Sequence, residues 1–182
     1  MKRCADNMNK LLISHASADQ LIVAPFIELL KAIGISDDLL IYTSYDNTGI
    51  PLKEDFSKHL KESFNENNLH VVFMLSDNFY TRIMCLNEMG AAWVKDCVYD
   101  FVFLPNFDPS NEKFNQGALN PRTQGFHYNN KARLIEFIQG VTSEFHITRI
   151  ANIEDSIESY MIALQEAHKK LNPPVKIFKR PF

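Results

Sequence analysis

A single carboxylate, Glu88, lies in the largely apolar segment CLNEMGAAW, residues 85–93. An unpaired buried carboxylate is costly, so a helix that packs in a core would ordinarily exclude one. Gly90, Ala91 and Ala92 are small, which would let this helix lie close to a sheet and to a flat ligand. Glu88 is either an ordinary solvated residue on the helix surface or a residue that lines a cleft and carries chemistry there. The rest of the chain decides between the two.

Polar residues also follow the first predicted strand. Ser14 and His15 close the apolar run of residues 11–13, where the groups of a loop can bind a phosphate or a ribose. Both are therefore substrate-binding candidates, and the alternative for His15 is an ordinary hydrogen-bonded loop residue. For Ser17 and Asp19, capping of the next helix is the simpler interpretation.

Residues 45–51 are rich in turn-forming types and predict a loop. Tyr45 and Asn47 are further substrate-binding candidates, Tyr45 through stacking on a ligand ring. An aromatic loop residue is also common at protein interfaces, and that alternative stays open. For Gly49, Ile50 and Pro51 we expect self-assembly or gating rather than ligand contact.

Two neighbours of Glu88 are interpreted as core residues. Cys85 lies three residues before Glu88, but no base that could activate its thiol is evident, so we expect a small buried side chain. Trp93 is predicted to share a helical face with Leu86 and Met89, and therefore to be buried.

Length and composition restrict the class of protein. The 182 residues suit one domain, and the net charge of −3 without a Lys/Arg-rich block indicates neither nucleic acid nor a membrane surface as partner. Cys4, Cys85 and Cys97 are too widely spaced for a disulfide framework or a zinc site. No apolar run has the length of a membrane span. We therefore expect a soluble cytoplasmic protein without a metal.

Short apolar strands alternate with amphipathic helices, which predicts a parallel sheet with helices on both faces. The clearest strand is LHVVFML, residues 69–75, whose nearly continuous apolar character is typical of a strand covered on both sides. The other predicted strands are residues 11–13, 39–42, 99–104 and 125–128. Helices are predicted at residues 20–33, 54–65, around Glu88, 131–145 and 153–171, the last capped by Asn152.

The order of these elements suggests where a ligand would bind. In open parallel sheets, ligands bind beyond the carboxyl ends of the strands, where the strand order reverses. If the first and third strands flank that reversal, the loop after Ile13 and the segment after Leu75 border one cleft. The helix that follows would then place Glu88 at this cleft.

Three segments, in this order and at natural spacing, resemble the sequence boxes of a bacterial TIR domain. They are LLISHASAD, IYTSYDNTGIPLKEDF and VVFMLSDNFYTRIMCLNEMGAAW, and the resemblance covers roughly residues 10–130. It implies a flavodoxin-like α/β fold, a doubly wound five-stranded parallel sheet with helices on both faces. It also implies that Glu88 matches the glutamate on which catalytic TIR domains depend.

The resemblance further implies an activity. Catalytic TIR domains cleave the nicotinamide–ribose bond of NAD, which makes NAD a substrate and leaves no separate cofactor. The product is ADP-ribose or a cyclic ADP-ribose signal, and the sequence leaves both open. Such proteins often serve bacterial antiphage defence, including Thoeris systems, in which the nucleotide signal switches on a separate effector. Self-association through TIR domains is also implied.

One carboxylate suffices for this reaction. Ordinary glycosidases need a second carboxyl group to protonate the leaving group, whereas nicotinamide leaves from an already cationic nitrogen and departs neutral. The oxocarbenium-like ribose then needs a negative charge and hydrogen bonds, which a carboxylate in a partly dry cleft provides.

Two positions depart from the resemblance. Met84 stands where many of these enzymes have a Trp, and it is kept as a substrate-binding candidate with a weaker stacking surface. Lys53 stands where the mobile loop often has a Gly.

Two other functions were weighed. The main alternative is a non-catalytic TIR–TIR interaction or scaffold module, which Met84 supports and Glu88 opposes. A phosphoacceptor receiver is set aside, because Asp77 comes one position late and no acidic pair follows the first strand. We divide the chain into a TIR domain, residues 8–147, and a C-terminal helical extension and tail, residues 148–182.

Overall fold

The computed structural model describes residues 9–42, 61–65, 68–110, 112–117, 119, 125–148 and 152–171. Five strands lie in this part of the chain: β1 Asn9–Ser14, β2 Leu40–Tyr42, β3 Asn68–Leu75, β4 Val98–Phe103 and β5 Phe126–His127. All pair in parallel, in the order β2-β1-β3-β4-β5. The predicted flavodoxin-like α/β fold with a five-stranded parallel sheet is therefore confirmed.

Helices lie between and after the strands. Their bounds are α1 Gln20–Ala32, α2 61–65, α3 Ile83–Val94, α4 Glu112–Asn115, α5 Lys131–Glu144 and α6 Ile153–Leu171. The rest of the helix predicted over residues 54–65 lies outside the described residues. The cap predicted for α6 is confirmed, because Asn152 Oδ1 accepts the backbone N–H of Glu154 at 3.1 Å. No helix of the described ranges has the length and apolar character that crossing a membrane requires.

The sheet is covered on both faces because its central strands are almost entirely apolar. β3 sends Val72 and Met74 to one face and Val71, Phe73 and Leu75 to the other. α1, α5 and α6 pack on the first face, while α2, α3 and α4 pack on the second. Each face therefore has its own hydrophobic core, as the apolar run of β3 predicted.

The last helix, α6, packs against α1. Tyr160 and Leu164 of α6 are buried in the same core as Phe26 of α1, and the rings of Tyr160 and Phe26 lie 6.3 Å apart. The Tyr160 hydroxyl also donates to the backbone carbonyl of Tyr128 at 2.8 Å. The apolar face of α6 therefore covers the domain's own core beside α1. The division at residues 147 and 148 stays a prediction.

One polar side chain interrupts the apolar sequence of β3. Both ring nitrogens of buried His70 are hydrogen-bonded, Nδ1 to Glu144 at 2.7 Å and Nε2 to Asp100 at 2.8 Å. Burial opposes the charged imidazolium, but the hydrogen bonds to Asp100 and Glu144 outweigh it and raise the pKa of His70. These residues lie near the amino ends of β3 and β4, away from the carboxyl edge of the sheet.

Candidate functional site

The strand order reverses between β1 and β3, which lie side by side at the centre of the sheet. β1 ends at Ser14, in register with Phe73, and β3 ends two residues later at Leu75. The loops after both strands therefore leave the same edge of the sheet at its switch point, as predicted. Ligands of open parallel sheets bind at such an edge.

α3 follows β3 and turns one face inward. Cys85, Glu88, Met89 and Ala92 form this buried face, at the spacing of three and four residues that defines one side of a helix. Glu88 is only 1% exposed. It is therefore not the solvated surface residue of the alternative interpretation.

The outer face of α3 corrects two predictions. Trp93, expected in the core, is 60% exposed, because it follows Glu88 by five residues and so lies about 140° around the helix from it. Gly90, expected to allow close packing, faces open space, since an added Cβ would meet nothing within 4 Å. Of the three consecutive small residues, only Ala92 is fully buried.

The Glu88 carboxylate is hydrogen-bonded at one oxygen and unpartnered at the other. Ser14 Oγ donates to Glu88 Oε2, although 74 residues separate the two in sequence. Glu88 Oε1 is buried and has no hydrogen-bond partner within the described structure. Burial raises the pKa of Glu88 to about 7, and the hydrogen bond from Ser14 opposes this rise. Both protonation states are therefore populated near neutral pH.

His15, next to Ser14, is 2% exposed and offers a second buried acceptor. Its Nδ1 lies 3.3 Å from the carbonyl oxygen of Ile13; since a carbonyl only accepts, Nδ1 carries the proton. Burial lowers the pKa of His15, against the opposing effects of the Ile13 carbonyl and the Asp19 charge. The neutral ring leaves Nε2 as an acceptor, and Nε2 is buried without a partner in the described part of the protein.

A hydrogen-bonded bridge joins the loops that follow β1 and β3. The Asp19 carboxylate accepts from Ser76 Oγ at 2.5 Å and from Asn78 Nδ2 at 2.7 Å. Ser76 Oγ in turn accepts the backbone N–H of Phe79 at 3.0 Å. Asp19 does occupy the N-cap position of α1, but its side chain makes no capping hydrogen bond, so the capping interpretation is wrong. Its role is to tie the two loops together at the switch point.

A second contact joins the loop after β1 to α3 itself. Arg82, the residue before α3, donates from Nη2 to Ser17 Oγ at 2.5 Å. Together with the bond from Ser14 to Glu88, this contact fixes residues 14–17 against the first two turns of α3. Arg82 is exposed and is a cation that sequence reasoning did not select. The only signal for it was a basic residue directly before the helix that holds Glu88.

Of the remaining sequence candidates, Met84 is the one that the structure describes. Met84 is half-buried and lines a groove of about 440 Å³ with Phe64, Ala91 and Val94. Tyr45 and Asn47, and the predicted gating residues 49–51, lie outside the described residues. Their roles stay predictions.

Cys85 is the buried, unreactive side chain that was predicted. Burial, reinforced by the Glu88 charge, raises the pKa of its thiol to about 12, so the nucleophilic thiolate is scarce at neutral pH. Over the described ranges, no group of three or more His, Cys, Asp or Glu side chains is placed to hold a metal ion.

The topology and the buried carboxylate define the class of this protein: a flavodoxin-like α/β protein with a candidate site at the sheet's switch point. No family model matches the chain, and no solved structure matches it significantly. The chain is similar to Uncharacterized protein YddK of Bacillus subtilis (strain 168), with 44% identity over 98 residues. The match covers 54% of this chain and 36% of that protein, so the chain spans about a third of the relative's length.

Proposed function

We propose that this chain is a TIR-domain enzyme that cleaves the nicotinamide–ribose bond of NAD, with Glu88 as the catalytic carboxylate. The observation that carries the proposal is Glu88 Oε1, a buried carboxylate oxygen beside the end of β1 that has no hydrogen-bond partner among the residues the structure describes. The three segments that resemble TIR boxes support the same assignment. The product would be ADP-ribose or a cyclic ADP-ribose, and the role that fits is cytoplasmic antiphage defence, through a separate effector where the product is a signal.

The reaction breaks the bond between C1′ of ribose and the nicotinamide ring nitrogen, which keeps the electron pair. Nicotinamide leaves neutral, so no general acid is needed. Glu88 stabilises the cation that develops at C1′, and its charge acts strongly because the side chain is 1% exposed and little screened by solvent. A water oxygen then attacks C1′ and loses a proton to give ADP-ribose. In cyclisation, a nucleophilic atom of the same ligand attacks C1′ and loses the proton instead.

Two other groups fit parts of the dinucleotide. His15 Nε2, a neutral buried acceptor, suits a ribose hydroxyl, which can donate a hydrogen bond. Arg82 uses Nη2 on Ser17 and retains further N–H donors, which suit the oxygens of a diphosphate. In this arrangement the loop after β1 and the start of α3 hold the ribose and the diphosphate, both on the ribosyl side of the bond that breaks.

The direct test is incubation of the protein with NAD, followed by chromatography of nicotinamide and the ribosyl products. Glu88→Gln keeps the shape of the side chain and removes its charge, so we expect nicotinamide release to be abolished in a folded protein. Glu158→Gln, the same change at an exposed position of α6, serves as the matched control and should keep wild-type activity. Turnover by Glu88→Gln at the wild-type rate would refute the catalytic assignment.

A specific observation also favours the interaction-module alternative. Ile83, Leu86, Trp93 and Val94 on the outer side of α3 are large apolar residues that are exposed, as is common at protein interfaces. Sedimentation and NAD turnover should be measured together over a dilution series. Assembly without nicotinamide release at any concentration would favour the scaffold, whereas activity that rises with assembly would support an enzyme activated by self-association.

A further inference from the structure

Ser14 lies at the buried carboxyl end of a strand that is paired on both sides. It is the last residue of β1, which pairs with β2 on one side and β3 on the other, and it is 0% exposed. Its neighbour in the sheet, Phe73, is also fully buried. The location of the Ser14 hydroxyl is therefore set by the sheet rather than by a loop.

The hydroxyl of Ser14 carries a single proton, and this proton is donated to Glu88 Oε2. A hydroxyl engaged in this way cannot donate to a ligand at the same time. Ser14 could therefore meet a substrate only as an acceptor, unless it releases Glu88. Its donated proton serves the carboxylate: it satisfies Oε2, while Oε1 has no hydrogen-bond partner among the described residues.

We propose that Ser14 is the positioning residue for Glu88: its hydroxyl holds Oε2, favours the ionised carboxylate and leaves Oε1 as the oxygen that meets the ribose. The contact of Oε1 with the ribose rests on the proposed NAD cleavage, whereas the hold on Oε2 and the ionisation of the carboxylate concern the protein alone. A hydrogen bond to the charged form of an acid stabilises that form. With one oxygen fixed to the sheet, the carboxylate plane is also fixed, so Oε1 points in one direction before a ligand arrives.

The hydrogen bond from Ser14 changes the fraction of Glu88 that is ionised. Burial raises the pKa of Glu88 to about 7, and the Ser14 hydrogen bond is the group that opposes burial. Without the hydroxyl, the same buried position would hold mostly the neutral acid at neutral pH, which cannot stabilise a cation. Ser14 therefore determines how much of the working form is present.

The test measures the ionisation of Glu88 directly. In protein labelled with ¹³C at glutamate carboxyl groups, the Glu88 signal is identified by its absence in Glu88→Gln and titrated in wild type and Ser14→Ala. We expect Ser14→Ala to raise this pKa by about one unit or more, the strength of one hydrogen bond to a charged group. Ser159→Ala, the same change at an exposed position of α6, is the matched control and should leave the titration unchanged.

NAD turnover supplies the second readout. The acid limb of the pH–rate profile of Ser14→Ala should move to higher pH by the same amount, so the loss of kcat is largest in acid and recovers in alkali. Should Ser14→Ala fail to fold, the near-isosteric Ser14→Cys, a weaker donor, should show a smaller shift in the same direction.

The two proposals fail in different ways. An unmoved Glu88 titration in a folded Ser14 variant, or a kcat loss equal at every pH, would overturn the positioning role even if wild type cleaves NAD. If Ser14→Ala shifts the Glu88 titration but the wild-type protein releases no nicotinamide, the effect of Ser14 on Glu88 is supported and the proposed function is rejected.

Discussion

Replacing Glu88 by Gln should raise the free energy of unfolding, relative to wild type, by more at alkaline pH than at acidic pH. The two side chains have nearly the same shape, so the change removes a buried charge and keeps the packing. An acid whose pKa is raised by folding loses stability as pH rises, because the unfolded chain releases the proton before the folded protein does. The destabilising effect of Glu88 therefore grows from pH 4.5, the ordinary pKa of the side chain, to about pH 7, the pKa in the folded protein, and is constant above that.

The size of the effect follows from these two pKa values. A rise from 4.5 to about 7 corresponds to roughly 3 kcal/mol, at about 1.4 kcal/mol for each pKa unit. At pH 5 Glu88 of the folded protein still holds its proton, so Glu88 lowers the free energy of unfolding by only about 1 kcal/mol. Glu88 is 1% exposed, so solvent does not screen the effect. The difference between pH 5 and pH 8, about 2 kcal/mol, is independent of any fixed cost of the Gln amide.

Urea unfolding of wild type and Glu88→Gln, followed by circular dichroism at pH 5 and pH 8, measures this difference. Glu158→Gln is again the control, and its surface change should alter the free energy of unfolding by no more than about 0.5 kcal/mol at either pH. A stability difference between wild type and Glu88→Gln that is the same at both pH values would refute the reasoning. It would mean that Glu88 ionises in the folded protein as it does in the unfolded chain.

Four further substitutions test stability. Gly90→Ala should raise the free energy of unfolding by about 0.5–1 kcal/mol because its methyl group meets open space, whereas Ala92→Trp on the buried face of α3 should lower it by at least about 1–3 kcal/mol. His70→Gln should destabilise more at pH 5 than at pH 9: the pKa of His70 is raised, so its stabilisation is complete below pH 6.5 and lost as pH rises through the folded pKa. Asp19→Ala should cost about 1–3 kcal/mol, because it leaves Ser76 and Asn78 without their acceptor. Urea midpoints measure all of these changes.

Each of these changes has a contradicting result. A destabilising Gly90→Ala would show that the outer face of α3 is covered. Equal effects of His70→Gln at both pH values would show that folding does not change the pKa of His70. An Asp19→Ala variant with wild-type stability would show that its bridge to Ser76 is exposed enough for water to replace it.

The fold and the central carboxylate could be predicted because both depend on short-range patterns. An unbroken apolar run predicts a strand covered on both faces, and β3 is such a strand. A carboxylate in an apolar helix indicates either a surface or a site, and the resemblance of three segments to TIR boxes favoured the site. The order of the elements then indicated the edge of the sheet where Glu88 would lie.

Contacts between distant segments could not be predicted in this way. The position of Asp19 directly before α1 suggested a helix cap, but its side chain accepts from Ser76, 57 residues away, and no local pattern reveals that partner. The orientation of α3 was also ambiguous. Apolar residues occur on both its sides, and only the contact with the sheet decides that Ala92 is buried and Trp93 exposed.

The bond between Ser14 and Glu88 has a kinetic consequence. It joins residues 74 positions apart and requires β1 to be paired with β3, since Ser14 lies in register with Phe73. Contacts between segments so far apart form slowly, because the chain entropy of closing the loop is lost before the contacts reward it. We expect a refolding chain to recover its helical circular dichroism first and the proposed nicotinamide release only when the two strands have paired. The proposed activity would then report on long-range assembly of the sheet.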